Sequence, residues 1–217
     1  MSKMDETIVV ARRESVFRGE SLAFHGFVAI SDPRAGQILE GLCEAPFAAR
    51  RGEVEENFDL LQPIPYVVVS RGEGEGREIF TYTRLTGGGE VRLHGRMSIG
   101  VGGHMNRLFT SASLHRTIAD ESGRELTEEL HFRDRSGFAA MPSAPTLLGL
   151  INDDTGDVQR VHLGILALVE VPVDWRVEVR ETEQLQGSWR PFTALQNDEA
   201  RARLEEWSVH ALHGVRR

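Results

Sequence analysis

The order of local signals predicts an α/β or α+β fold, a mixed sheet with helices packed on it. Strand signals come first, then a helix, then more strands and a closing helix. Two β-branched and aromatic runs, "YVVVS" and "EIFTYTR", flank the turn-rich "RGEGEGR" and read as a hairpin. A segment over 111–130 carries helical apolar spacing, and "NDEARARLEEWSVHAL" opens on Asn197 and Asp198 as helix caps.

Taken in order, "ETIVVARR" and "FHGFVAI" read as short strands. "RAGQILEGLCEAPFAARR" reads as a helix, with Ile38, Leu39, Leu42 and Phe47 at near-helical spacing. Pro63 and Pro65 punctuate the chain, and the boundary of a main domain is expected there. That division makes 1–62 an N-terminal extension packed on a domain over 63–217. After the hairpin, the Gly-rich turn "TGGGEVRLHG" leads to "RMSIGVGGH", a strand closing on two glycines. "PTLLGLINDDTGDVQRVHLGILALVEV" reads as two strands around the turn "NDDTGD". "WRVEVRETEQLQGSWRPFTAL" adds a strand and a loop before the C-terminal helix.

Composition narrows the function. Hydrophobic residues at 40% and charged residues at 27% are those of a folded globular chain. A net charge of −8 without a basic stripe argues against a nucleic-acid polymer as partner. Cys43 is the only cysteine, so no intrachain disulfide forms, and a reducing, cytoplasmic setting is expected. Lys3 is the only lysine, which argues against a P-loop lysine and lysine Schiff-base chemistry. No apolar run approaches the roughly 20 residues of a membrane helix.

The stretch "ESGRELTEEL" gathers Glu121, Glu125, Glu128 and Glu129 at three- and four-residue steps, one ridge of a helix. Like charges there repel by about 0.2–0.5 kcal/mol per pair. A solvated outer face would explain such a run. Leu126 and Leu130, however, give this helix an apolar side. Clustered carboxylate oxygens also suit a hard cation such as Mg²⁺.

"REL-TEEL-HF", Arg124 to Phe132, resembles the core of the Nudix box, G-x5-E-x7-R-E-U-x-E-E-x-G-U, where U is aliphatic. Arg124, Glu125, Leu126, Glu128 and Glu129 match in register, and Gly103 resembles the opening glycine. The ending "ETEQLQGSWRPFTAL" is similar to the close of such domains, and the likeness covers roughly residues 64–212. "RLHGRMSIGVGGHMN" and "INDDTGDVQRVHLGI" resemble a subgroup described as predicted Nudix-type phosphoesterases. The chain departs from the box in four ways, one of them Phe132 in place of the closing aliphatic residue. Gly103 to Arg124 spans 21 positions, about seven more than the pattern. Phe109 stands where a glutamate is expected after the glycine, and His131 replaces the late glycine.

The resemblance implies a Nudix-like α/β/α sandwich with a mixed sheet. It also implies Mg²⁺- or Mn²⁺-dependent hydrolysis of a diphosphate linkage in a nucleoside diphosphate derivative or related small molecule. Glu125, Glu128 and Glu129 would bind the metal, Arg124 would hold a helix carboxylate, and Glu183, ahead of Glu181, or Glu128 would act as general base. Gly103, His104, Arg84 and Arg92 are the candidates for substrate contact. His104 and the two arginines also have plainer readings, as a hydrogen-bonded loop histidine and surface arginines.

The missing glutamate and the insertion motivate an alternative, a non-catalytic Nudix-fold nucleotide-binding or regulatory module. A diphosphate isomerase on the same fold ranks last, because Cys43 lies in the extension. His162 reads as a satisfied core residue, Asn152 and Asp153 as turn residues, and Cys43 as a structural thiol. A homodimer is expected.

Overall fold

The computed structural model describes residues 3–85 and 95–216. Arg92 and most of the Gly-rich turn lie outside the described residues. In chain order the strands are β1 (Thr7–Arg12), β2 (Gly26–Ala29), β3 (Phe47–Arg50), β4 (Leu60–Arg71), β5 (Glu78–Arg84), β6 (Met97–Ser98), β7 (Gly100–Gly102), β8 (Leu130–Arg133), β9 (Thr146–Asn152), β10 (His162–Glu170), β11 (Arg176–Val179) and β12 (Leu185–Pro191). The helices are α1 (Arg13–Phe17), α2 (Pro33–Glu44), α3 (Arg51–Val54), α4 (Leu114–Glu129), α5 (Asp157–Arg160), α6 (Asp198–Arg203) and α7 (Glu206–Val215). The class is the expected mixture of sheet and helix.

The chain forms two compact units. The first gathers Met1–Tyr66, Gly102–Ser122 and Leu147–Leu166; the second gathers Val67–Val101, Gly123–Thr146 and Ala167–Arg217. Strands β4 and β10 and helix α4 each run from one unit into the other.

In the first unit the hydrogen-bonded order is β2–β9–β10–β4, with β1 pairing both β3 and β4. Helix α2 begins as its sequence dictates. Asp32 caps it by accepting from the Arg34 amide at 2.9 Å, and Pro33 occupies a first-turn position. Its buried Ile38, Leu39 and Leu42 join Val9, Phe17, Leu61 and Leu150 in the core. The helix expected to continue through Phe47 stops at Glu44, because Pro46 disfavours helical backbone at Ala45 and β3 pairs with β1 instead. Pro63 and Pro65 do not break the chain, for β4 runs through both. Gln62 donates its amide to Val161 at 2.8 Å, and the prolines, lacking N–H groups, fall on the alternate side of the strand. Gly102 ends β7 where a side chain would meet the Pro65 carbonyl oxygen at 2.8 Å, so this glycine serves a close backbone packing.

In the second unit β4, β5 and β12 are successive neighbours. The expected hairpin is present, with Ser70 opposite Ile79 and Arg71 opposite Glu78. The stretch expected as a loop after β11 is strand β12, paired with β5 from Leu185↔Arg84 to Pro191↔Glu78. Gly187 makes this possible, since a Cβ there would lie 2.5 Å from the Phe80 ring. Strands β8 and β11 form a separate antiparallel ribbon. The core of this unit holds Val67, Phe80, Leu126, Leu130, Phe132, Val177 and Val179. The C-terminal helix splits in two: Leu204 is extended and Glu205 donates its amide to Met97 at 2.9 Å. The cap at Asn197 is as expected, accepting from Ala200 N at 2.8 Å. Among the described residues, no helix is long and apolar enough to cross a membrane.

Candidate functional site

The acidic helix α4 ends in the second unit, where Leu126 and, one residue past the helix, Leu130 join the core. That packing decides which acids meet solvent. Glu125, one residue before Leu126, is only 7% exposed, whereas the Glu128 side chain is 57% exposed and Glu129 is half-buried. Arg124 serves both of the first two. Its Nη2 lies 2.7 Å from Glu125 Oε1, and its Nη1 donates to both Glu128 oxygens at 3.2 Å.

Burial pushes the Glu125 carboxyl up to about 7; Arg124 opposes the shift, while Glu128 and Glu129 add to it. One arginine therefore faces several carboxylates, one of them removed from water. Such a group favours either a proton or a further positive charge. Oxygen donors of this kind match a hard divalent cation.

The helix hands on to the ribbon directly. Arg180, just past β11, donates its amide to the Glu129 carbonyl at 2.9 Å and its Nε to the Leu130 carbonyl at 3.3 Å. Glu183 lies three residues further on, exposed in a tight turn in which the Glu181 carbonyl accepts from Gln184 and Leu185 amides at 2.9 and 2.8 Å. Arg84 is committed elsewhere in this unit: its Nε lies 2.8 Å from Glu205 Oε1, and its guanidinium stands over the Tyr82 ring.

Gly103 and His104 belong to the first unit. His104 is buried, with Nε2 2.6 Å from Gln62 Oε1 and 3.2 Å from His162 Nε2. The Gln62 amide nitrogen donates to the Val54 carbonyl, which turns its oxygen toward His104. With Gln62 so oriented, a hydrogen on His104 Nε2 satisfies the Gln62 oxygen, which leaves the unprotonated Nε2 of His162 facing that nitrogen. His104 is a hydrogen-bonded histidine, and His162 is buried and partnered. Asn152 and Asp153 act in their turn: Asn152 Nδ2 donates to Asp154 at 3.2 Å, and Asp153 Oδ1 accepts from the Thr155 amide and hydroxyl at 2.9 and 2.6 Å. Cys43 is half-buried and its thiol is pushed up by burial, which suits an inert side chain rather than a nucleophile. Glu121, in the first unit's part of α4, is buried with Arg107 Nε 3.8 Å away.

No family model matches the chain. Protein YmaB of Bacillus subtilis (strain 168) is 43% identical over 208 residues, covering 96% of each chain. Among solved structures, the chain is similar to the crystal structure of Tm1382, a proposed Nudix hydrolase, with a TM-score of 0.71. That match has 24% identity and covers 97% of this chain and 98% of Tm1382.

Proposed function

Because this chain belongs to the family of Bacillus subtilis Protein YmaB and has the Nudix fold, we propose that it is a divalent-metal-dependent hydrolase. The linkage cut would be a diphosphate in a nucleoside diphosphate derivative or a related small molecule. The observation that carries the reading is the buried Glu125, held by Arg124 at 2.7 Å beside two further glutamates on the last turns of α4.

The residues fit a hard cation. Glu125, Glu128 and Glu129 offer oxygen donors in excess of the single arginine, and neutralisation there would relieve the burial of Glu125. These three side chains would hold Mg²⁺ or Mn²⁺. When bound, the ion supplies polarisation of phosphoryl oxygens and neutralises developing charge. Arg124 keeps Glu125 and Glu128 in fixed positions through charge-assisted hydrogen bonds. Glu183 accepts the proton of the attacking water, with Glu128 the other candidate for that base. A new oxygen–phosphorus bond forms as the bridging phosphorus–oxygen bond breaks, and the leaving phosphate takes the electron pair.

Hydrolysis of a panel of nucleoside diphosphate derivatives with Mg²⁺ or Mn²⁺ tests the reading, comparing wild type with Glu129→Gln. Turnover that depends on metal and is lost in the variant is the expected result. Equal turnover in both proteins would remove the proposed metal role of the ridge, and binding without turnover in the wild type would point to a non-catalytic module.

A further inference from the structure

We propose that Arg180 is the anion-binding residue of a substrate cleft on the solvent face of the β8–β11 ribbon, a proposal that rests on the hydrolase reading. The ribbon alternates as a two-faced strand pair must. Leu130, Phe132, Val177 and Val179 turn into the core of the second unit, whereas His131 and Glu178 stand directly opposite each other on the other face. Arg180 follows Glu178 by two residues and shares its face. A cleft of about 750 Å³ opens there, lined by Leu85, His131, Glu178, Arg180, Thr182 and Gln186 among others. Its size and its mixture of apolar wall and converging polar groups suit a nucleotide-sized ligand.

Arg180 is anchored at one end and available at the other. Its amide and Nε bind the carbonyls of Glu129 and Leu130, the last residue of α4 and the first of β8. Its terminal nitrogens make no hydrogen bond or ion pair among the described residues. Arg71, Arg84 and Arg124 of this unit are instead paired, to Glu78 at 2.7 Å, Glu205 at 2.8 Å and Glu125 at 2.7 Å, whereas Arg176 on the same ribbon is unpaired but makes no such backbone anchor among the described residues. An exposed guanidinium fixed by backbone bonds, with two terminal nitrogens to spare, presents a planar fork that matches a phosphate. The carboxylates of α4 end at the residue whose carbonyl Arg180 holds. The ligand class is therefore a small phosphorylated molecule. Arg180 takes a phosphoryl group other than the one under attack, and the Leu85 side of the cleft takes the remainder.

The test uses the full chain in EDTA, titrated with ADP by calorimetry while the His131 imidazole is followed by NMR. ADP binding with a His131 shift is expected in the wild type. Arg180→Gln should weaken the ADP Kd at least tenfold, and Arg180→Lys, which keeps the charge but not the fork, should fall between. Adenosine, which lacks phosphate, should leave the His131 signal unmoved. No ADP binding by the wild type, an unchanged Kd in both variants, or adenosine matching ADP would overturn the proposal. Thermal melts establish that each variant is folded, and Arg180→Lys carries the comparison should the glutamine variant not fold. The hydrolase reading fails separately, through the absence of metal-dependent turnover by the wild type, whatever the metal-free ADP result.

Discussion

Arg124 Nη2 stands 2.7 Å from Glu125 Oε1, the shortest link between the arginine and the buried acid of the carboxylate ridge. The same guanidinium reaches Glu128 at 3.2 Å, one turn further along α4. Removing it should misplace two proposed metal ligands together. Arg124→Ala is expected to lower metal-dependent hydrolysis by about 10- to 100-fold, as loss of a ligand-orienting partner commonly does. Arg124→Lys should recover only part, because lysine cannot bridge both carboxylates with one planar group. Steady-state kinetics over a range of Mg²⁺ concentrations checks this; an unchanged rate in Arg124→Ala would contradict it.

The acid itself gives a pH dependence of definite sign. Glu125 titrates at about 7 in the folded chain against an ordinary value of 4.5. The folded protein therefore holds a proton that the unfolded chain releases between those values. The associated stabilisation is complete below about 4.5 and is lost as pH rises through 7. In metal-free buffer, Glu125→Gln should be more stable than wild type at pH 8 by about 1–2 kcal/mol. The difference should close toward pH 5. Denaturant melts at the two pH values measure it, and a glutamine variant less stable than wild type at pH 8 would reverse the assigned sign.

Much of this arrangement could be read from local signals, and the exceptions share a physical cause. The strands β1 and β2, the β4–β5 hairpin, the α4 helix and the Asn197 cap each depend on periodicity, turn residues or caps within a few positions. Phe47, by contrast, continues the helical spacing of α2 but lies in β3, opposite Val10. Leu204 fits an amphipathic helix yet is pulled extended by its bridge to Met97. Strand β12 has weak strand composition and exists because Gly187 lets it lie against Phe80. In the candidate site, the R-E-x-x-E-E spacing from Arg124 to Glu129 is local and legible. Arg180 stood in plain view within "EVRETE", but its distinction comes from bonds to carbonyls about 50 positions earlier in the chain. No local pattern encodes such a pairing.

Gly149 of β9 offers a packing test in the first unit. A Cβ at this position would lie 2.1 Å from the Val28 carbonyl oxygen and 2.6 Å from the Phe27 ring. The first contact is with backbone of β2, the partner strand, which cannot yield without losing its pairing at Ala29↔Gly149. Gly149→Ala should destabilise the fold by about 1–3 kcal/mol, in the manner of overpacking. Urea melts that leave the midpoint unchanged would show that β2 moves freely.

The buried His104 predicts a stability loss of a different kind. His104→Ala would leave the Gln62 carbonyl oxygen, now 2.6 Å from the ring nitrogen, without that donor. An orphaned buried acceptor costs about 1–3 kcal/mol. NMR of the wild type should show His104 protonated on Nε2 and His162 on Nδ1 at neutral pH. The reverse tautomers would contradict the network.

The most direct measurement is a Mn²⁺ titration followed by electron paramagnetic resonance on wild type and on Glu125→Gln, Glu128→Gln and Glu129→Gln. The account predicts saturable Mn²⁺ binding in the wild type, weakened in every one of the three variants. Wild-type affinity retained in all three would mean that the ridge holds no metal, and the hydrolase mechanism built on it would fall.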